Sequence, residues 1–382
     1  MQIWGKMTSQ RSAAAVITTL MLVTFLVPAS SLVTSYAQSY WLLDPSHSAT
    51  RHRLTVSVTD SLYEYYSSRN HNIPLDQIAQ FVTPDALGPI ADNLWSIFNN
   101  EEDFANGVLM IPHQIPYVET DPKFPVETIV ENQGDCDTFS YMAASIMLAG
   151  GLDVVLLYYE SESHMNLGVH LPEMPDDARS TVHYYSYRGK PYYVAECTGG
   201  NWENGWRVGE CPEGFEEASA RIIPLDNCEQ QSPGQVAASY TSPTSSSLSL
   251  TLSSTYTLGN GAVTISGAIS PAQAYKDVTI YIRFYASSWD GLTTVATDAD
   301  GEYSYAWKPT SGGIYQVRAS WSGDGEYVGA DSNISTLTVI SNDWILIGTA
   351  AIVLITIVII VALLARQGTP VETPPSLDDY DF

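Results

Sequence analysis

Basic residues are scarce in this chain of 382 residues. Lysine and arginine total 16 against 42 aspartates and glutamates, which gives a formal net charge of −26 at pH 7. Such an acidic chain repels phosphate backbones, and no basic stripe interrupts it, so nucleic acid is not expected as a partner. Hydrophobic residues make up 45% of the chain, which argues against wholesale disorder. The length allows two domains plus terminal segments.

Cysteine is also scarce, with four residues: Cys136, Cys197, Cys211 and Cys228. Outside the cell, cysteines are expected to form disulfides. If Cys136 must stay free to react, the other three can form at most one bond. Cys211 with Cys228 is the first candidate, because both lie in a loop-rich segment, but the sequence does not decide the pairing. Cys197 would then be buried on the strand face opposite Glu196.

The N-terminal segment resembles a secretory signal. Lys6 and Arg11 precede an apolar run over residues 13–33, and Ser35-Tyr36-Ala37 offers a small-residue cleavage site. We therefore predict a signal peptide over residues 1–37. The apolar run is long for a signal core, so an uncleaved signal anchor stays open as the alternative.

A second apolar run lies near the C-terminus, over residues 344–365. Its length of about 22 uncharged residues is enough to cross a bilayer. Arg366 follows it, so the positive-inside rule places residues 366–382 in the cytoplasm. These features predict a single-pass protein of the cell membrane, whose remaining chain is extracytoplasmic.

The pattern between the two ends predicts two domains. Residues 40–229 read as helices first and antiparallel strands later, including a helix over 53–69 and strands over 154–159, 164–171, 181–187 and 192–197. Residues 230–247 form a Ser/Thr/Pro-rich linker. Seven short alternating strands over 248–340, which contain no cysteine, predict an immunoglobulin-like β-sandwich without an inter-sheet disulfide. The predicted fold class is α+β of papain-like type, followed by an all-β sandwich and a transmembrane helix.

Three residues in the first domain suggest a cysteine enzyme. Cys136 opens an apolar helix over 136–149, and a helix N-terminus favours thiolate over thiol. His164 begins a strand, and Glu196 lies between apolar neighbours in another, where an unpaired carboxylate would be costly. A cysteine nucleophile needs a base and a group that orients the base. Cysteine, histidine and carboxylate in this order match a papain-like triad.

Other residues near these three have competing interpretations. His170 shares a strand face with His164 and is the rival base. His113 and His183 are interpreted as surface or loop residues. Trp202 and Trp206 either shape a substrate groove or pack in the core.

Asp135 and Asp137 flank the nucleophile. Helix capping is the favoured account of them, and calcium binding is the alternative. No other cofactor is expected.

The motifs resemble the transglutaminase-like cysteine-enzyme superfamily, and in particular its microbial branch. The resemblance covers roughly residues 75–225 and rests on the segments 132–137 (Asn-Gln-Gly-Asp-Cys-Asp), 163–169 (Ser-His-Met-Asn-Leu-Gly-Val) and 192–198 (Tyr-Tyr-Val-Ala-Glu-Cys-Thr). It implies a triad of Cys136, His164 and Glu196, with Gln114 as oxyanion donor beside the Cys136 backbone N–H. Many members have an aspartate where this chain has Glu196, which leaves the substrate preference open.

These observations predict hydrolysis of a peptide or amide bond through a Cys136 thioester, with a peptide or protein at the cell surface as substrate. Acyl transfer to an amine is the same chemistry with another acceptor. Two alternatives stay open: a catalytically inactive scaffold, and a cell-surface adhesion protein in which the sandwich is the functional part.

Overall fold

The computed structural model describes residues 35–44, 50–259 and 261–367, with no side-chain description over 342–351 and 365–367. The predicted signal peptide lies outside this part of the chain except for Ser35, Tyr36 and Ala37, which begin the first strand.

The first element is a β-hairpin, not a helix. β1 (Ser35–Asp44) pairs antiparallel with β2 (Thr50–Thr59) along its whole length. The predicted helix over 53–69 is therefore wrong for its first part. Leu54, Val56 and Val58 alternate with polar residues and are all buried, which is the period of a strand.

Helices and short 3₁₀ segments follow the hairpin. The α-helices are α1 (Asp60–Ser67), α2 (Pro84–Trp95), α3 (Glu101–Met110), α4 (Pro125–Glu131) and α5 (Cys136–Ala149), and the 3₁₀ segments are Leu75–Phe81 and Pro112–Gln114. The predicted helix over 136–149 is confirmed. The helix α5 is apolar on most sides, as expected of a helix that is covered by α2 and by a sheet. Its buried side chains belong to the largest hydrophobic core cluster.

That sheet has five antiparallel strands in the order β5-β6-β4-β3-β7. The strands are β3 (Asp153–Tyr159), β4 (His164–His170), β5 (Tyr184–Tyr187), β6 (Lys190–Ala195) and β7 (Arg221–Pro224). Central β4 is buried on both faces. Met165, Leu167 and Val169 face the helices, while Gly168 lies on the other face, where a Cβ would come within 2.9 Å of Tyr192 and Val155. Gly168 therefore permits close strand packing.

The segment after residue 230 adds one more strand to the hairpin. β8 (Ala237–Ser239) pairs with β2. Part of the predicted linker is thus built into a sheet, while the domain boundaries themselves stay predictions.

The remaining strands form two further sheets that enclose a second core around Trp307, Trp321 and Val317. They are β9 (Ser247–Leu248), β10 (Thr251–Leu252), β11 (Tyr256–Leu258), β12 (Val263–Ser270), β13 (Asp277–Phe284), β14 (Asp290–Ala296), β15 (Glu302–Trp307), β16 (Gly313–Gly323), β17 (Val328–Asp331) and β18 (Ser335–Ile340). Residues 278, 280 and 282 of β13 contribute to this core, as strand alternation requires.

Polar contacts join the second core region to the first. Arg318 on β16 is 3% exposed and bonds Asp60 Oδ2 at 3.3 Å and Glu64 Oε2 at 2.8 Å, both on α1. Its guanidinium also lies 4.6 Å from the ring centre of Trp289. Asp331 accepts hydrogen bonds from the backbone N–H and hydroxyl of Ser61, at 2.8 and 2.5 Å.

The predicted fold class is contradicted, because the described chain consists mostly of β-sheets with few helices. Where a helix was expected over residues 53–59, apolar and polar residues alternate and form the end of β2.

The transmembrane prediction over 344–365 is contradicted too. A last helix, α6 (Asn342–Gln367), occupies this region, but within the described residues no helix is long and apolar enough to cross a membrane. The predicted single-pass location at the cell membrane is contradicted by the same finding.

We expect Arg318→Ala to destabilise the chain by about 2 kcal/mol, since it removes a buried cation from two partly exposed carboxylates. Denaturant unfolding of the full chain measures this change. Arg188→Ala is the matched control, because its pair with Asp226 is 59% exposed on both sides and should have no measurable effect. If the two substitutions destabilise the chain equally, the pairs of Arg318 with α1 do not contribute to stability.

Candidate active site

The start of α5 is fixed by reciprocal capping. Asp135 Oδ1 accepts a hydrogen bond from the Thr138 backbone N–H at 3.4 Å, and the Thr138 hydroxyl receives one from the Asp135 N–H at 2.8 Å. This capping box makes Cys136 the first helical residue. Gly134 is required just before it, because a Cβ there would clash with the Thr138 hydroxyl. Cys136 therefore stands where the backbone N–H groups lack helical partners.

His164 reaches the same place from the sheet. It is the first residue of β4 and follows Ser163, which has a positive φ of 50°. Its Nε2 lies 2.8 Å from Glu196 Oε2, so Nδ1 is the nitrogen left for the Cys136 sulfur. The ring of Phe215 packs against the imidazole, with 4.7 Å between ring centres.

Glu196 is fully buried directly after β6. Its Oε1 accepts hydrogen bonds from the Thr198 backbone N–H at 2.7 Å and the Thr198 hydroxyl at 2.6 Å. Asn166 Nδ2 donates to Oε2 at 3.4 Å, beside His164. Burial alone would raise the pKa of Glu196, but these bonds and His164 lower it overall, so the carboxylate stays charged.

The charge on Glu196 determines the state of the imidazole. Burial of His164 would lower its pKa, but hydrogen bonds to Cys136 and Glu196 and their charges outweigh this and raise it to about 10. The ring is therefore an imidazolium at neutral pH. It lies between the Cys136 sulfur and a buried carboxylate.

Gln114, the predicted oxyanion donor, is engaged elsewhere. Its Nε2 donates to the carbonyls of Trp41 at 2.8 Å and Met110 at 2.7 Å, and its Oε1 accepts from the Trp41 N–H at 2.8 Å. Its side chain ties the hairpin to the end of α3. Its role as an oxyanion donor stays a prediction.

Tyr117 is a neighbour of Cys136 that the motif analysis missed. Its strand-like bridge to Gly134 and the 2.7 Å bond from the Val118 N–H to the Gly134 carbonyl hold it beside the start of α5. Tyr117 and Cys136 line the same cavity. Burial and the charge of Cys136 raise the pKa of Tyr117, so the hydroxyl keeps its proton.

Two cavities meet at this site. One of about 810 Å³ is lined by Tyr40, His113, Gln114 and Trp202, and we call it the main cleft. Another of about 420 Å³ has Cys136 in its wall. His164 and Tyr117 line both, so the reactive groups stand on the ridge between them.

The structure also shows where the other histidines and the cysteines lie. His170, the rival base, is the last residue of β4, and its Nδ1 faces the Pro191 carbonyl at 3.0 Å. His113 is buried, contrary to its interpretation as a surface residue, and its Nε2 lies 3.1 Å from the Glu196 carbonyl oxygen. All four cysteines are unbonded, so the candidate pair Cys211–Cys228 is not formed.

Asp135 and Asp137 serve the helix start. Asp137 Oδ1 accepts from the Thr138 N–H at 2.8 Å, and burial together with the neighbouring Asp135 carboxylate raises the pKa of Asp137 to about 8. Among the described residues no group of three or more histidine, cysteine or acidic side chains could hold a metal ion. Calcium binding by this pair stays a prediction.

Comparison with known proteins finds weak structural similarities. No protein-family model and no curated protein matches this chain. Red sea bream transglutaminase is similar at 8% identity and a TM-score of 0.20, over 80% of this chain and 62% of that one. A chitin binding domain from Burkholderia pseudomallei is similar at 13% identity and a TM-score of 0.17, over 22% of this chain and 55% of that one.

The alkylpurine DNA glycosylase AlkC of Pseudomonas fluorescens has 9% identity and a TM-score of 0.18, over 25% of this chain and 31% of that one. This chain thus spans less than two thirds of each of these three structures. The likeness to the transglutaminase is weak and compatible with the resemblance in the motifs. At these TM-scores no likeness carries an argument about fold or function.

The raised pKa of His164 predicts a pH-dependent stability. A histidine whose pKa is higher in the folded than in the unfolded chain stabilises fully below about pH 6.5 and loses this contribution as the pH rises towards 10. The stability of the wild type relative to His164→Gln should therefore fall over this interval, by more than about 1 kcal/mol. Urea unfolding at a series of pH values measures it. A difference that stays constant over the interval would contradict the assignment.

Proposed function

We propose that this chain is a cysteine enzyme that cleaves a peptide or amide bond through a thioester at Cys136. The observation that carries the proposal is the His164 ring, which is hydrogen-bonded to the buried Glu196 carboxylate and lines the same cavity as Cys136. A charged carboxylate holds the imidazolium, and the imidazolium stabilises a thiolate, which is the nucleophilic form of cysteine.

The first half-reaction forms the thioester. The Cys136 thiolate attacks the carbonyl carbon of the substrate, and the carbonyl oxygen takes the negative charge. His164 then gives its proton to the leaving nitrogen as the C–N bond breaks. An amine departs, the acyl group stays on Cys136, and the imidazole is neutral.

The second half-reaction releases the acid. Neutral His164 removes a proton from water, whose oxygen attacks the thioester carbon. The C–S bond breaks, and the thiolate and imidazolium return. An amine in place of water would give acyl transfer by the same steps, and the proposal favours water.

The negative charge on the substrate oxygen needs donors. The Cys136 backbone N–H lacks a helical partner and is one candidate. The Tyr117 hydroxyl is the side-chain donor already beside the sulfur, whereas the Gln114 amide hydrogens are bound to two carbonyls. This supports Tyr117 over Gln114 as the second donor.

The main cleft supports a substrate of peptide size. Its volume of about 810 Å³ is within the range typical of ligand sites, and both polar and aromatic groups line it. The partly exposed Cys136 shares a cavity with His164, whose ring is bonded to Glu196, and this arrangement supports an enzyme over the inactive scaffold.

Reaction with iodoacetamide and with p-nitrophenyl acetate tests the proposal. Cys136 is partly exposed while the other three cysteines are buried, so Cys136→Ala should abolish labelling and acetylation, and Cys211→Ala should change neither. His164→Ala should slow acetylation about tenfold or more, because a cysteine without a cationic partner is only a few per cent thiolate at pH 7. Mass spectrometry locates the modified residue. If Cys136 is acetylated at an unchanged rate in His164→Ala, the proposal that this chain is a cysteine enzyme is refuted.

Tyr117→Phe tests the oxyanion assignment. We expect acetylation by p-nitrophenyl acetate to slow by about 10²-fold, the usual effect of removing one donor. Tyr184→Phe is the matched control, since Tyr184 and Tyr117 are both 56% exposed and Tyr184 lies on β5 away from the cleft. If the two variants react at the same rate, the Tyr117 hydroxyl has no such role.

A further inference from the structure

A small pocket of about 210 Å³ adjoins the main cleft. Phe98, Met110 and Trp206 form its apolar walls. His113 and Trp202 line both the pocket and the main cleft, so the two spaces share a wall. The His113 ring also lies 3.1 Å from the backbone carbonyl oxygen of Glu196, so this shared wall adjoins the backbone of a triad residue.

The charged groups on the rim of this pocket already have partners. Glu203 pairs with Arg51 at 2.5 Å, and Asp177 lies 3.7 Å from Arg207. Asp103 receives a hydrogen bond from the Asn100 amide at 2.7 Å. Because these charges are satisfied within the chain, the pocket suits an uncharged occupant.

One polar group in the wall lacks a partner. Asn106 is 8% exposed, and its Oδ1 accepts a hydrogen bond from the Val208 N–H at 2.9 Å. Its Nδ2 is buried and has no hydrogen-bond partner among the residues that the structure describes. A buried donor without an acceptor is unfavourable, so an oxygen brought to this wall by an occupant would be bound well.

We propose that this pocket is a substrate subsite that binds a phenolic side chain, as in tyrosine, of a substrate in the main cleft. The inference rests on the proposed function. The volume is below that of sites for drug-sized ligands and suits one side chain. Aromatic and methionine walls favour an aromatic ring, and Asn106 Nδ2 donates to its hydroxyl oxygen.

Binding of p-cresol and toluene to the full-length chain tests the subsite without requiring catalysis. The two probes differ by one hydroxyl group, and dissociation constants come from ligand-observed NMR titration. We expect p-cresol to bind about fivefold to tenfold more tightly than toluene, the usual gain from one satisfied hydrogen bond. Equal affinities would overturn the tyrosine assignment, and absence of binding by both would overturn the subsite.

Asn106→Leu locates the interaction. The substitution keeps a side chain of similar size, removes the Nδ2 donor and leaves no oxygen that could accept from the phenol O–H instead. Its p-cresol affinity should fall to that of toluene, while toluene binding stays unchanged. Unchanged p-cresol binding would show that the probe lies elsewhere and would overturn the proposal. An unaltered rate of Cys136 labelling by iodoacetamide verifies that the variant is folded. If the variant does not fold, the comparison of p-cresol with toluene in the wild type still tests the subsite.

Peptide substrates separate this inference from the proposed function. A fluorogenic peptide library with one position varied among tyrosine, phenylalanine and lysine should be cleaved fastest with tyrosine, and the advantage over phenylalanine should vanish in Asn106→Leu. Cleavage without any tyrosine preference would overturn the subsite and leave the cysteine chemistry intact. Loss of Cys136 acetylation would instead refute the function, whatever the probes bind.

Discussion

The buried charge of Glu196 is the constraint on which the site depends. A carboxylate without solvent is tolerated only when donors surround it, and here Thr198, Asn166 and His164 supply them. Because Ala195 pairs with Leu167, the strand register itself brings Glu196 beside the side chains of β4. The imidazolium follows from this arrangement, and the sulfur of Cys136 is added by a helix whose start is fixed by capping.

Although cations are scarce, several of them have a structural role. Arg318 joins β16 to α1. Arg179 holds Glu210 at 2.7 Å, and Arg69 binds Glu229 near the end of the first core region. In a chain with 16 basic residues and a net charge of −26, such pairs connect segments that are far apart in sequence. The surface keeps the excess acidity, where water solvates it.

Several elements could be predicted from local pattern. The helix over 136–149 has a capping residue and an apolar run, and its bounds agree with the structure. The predicted strands over 154–159 and 164–171 agree with β3 and β4 to within one residue. The region over 53–59 is a strand and not part of a helix, because its buried apolar residues recur at every second position. The prediction of a membrane helix rests on apolar content alone, and within the described residues no helix is long and apolar enough to cross a membrane.

By itself, the sequence determined where Cys136, His164 and Glu196 stand in their elements, because capping and alternation are properties of neighbouring residues. Only the tertiary structure decided the partners of those side chains. It put the Gln114 amide on two carbonyls, Tyr117 beside the sulfur, and His113 against the Glu196 carbonyl. These contacts join loops and strands far apart in the chain, and no periodic signal encodes which hydrogen-bond partner a distant segment will bring.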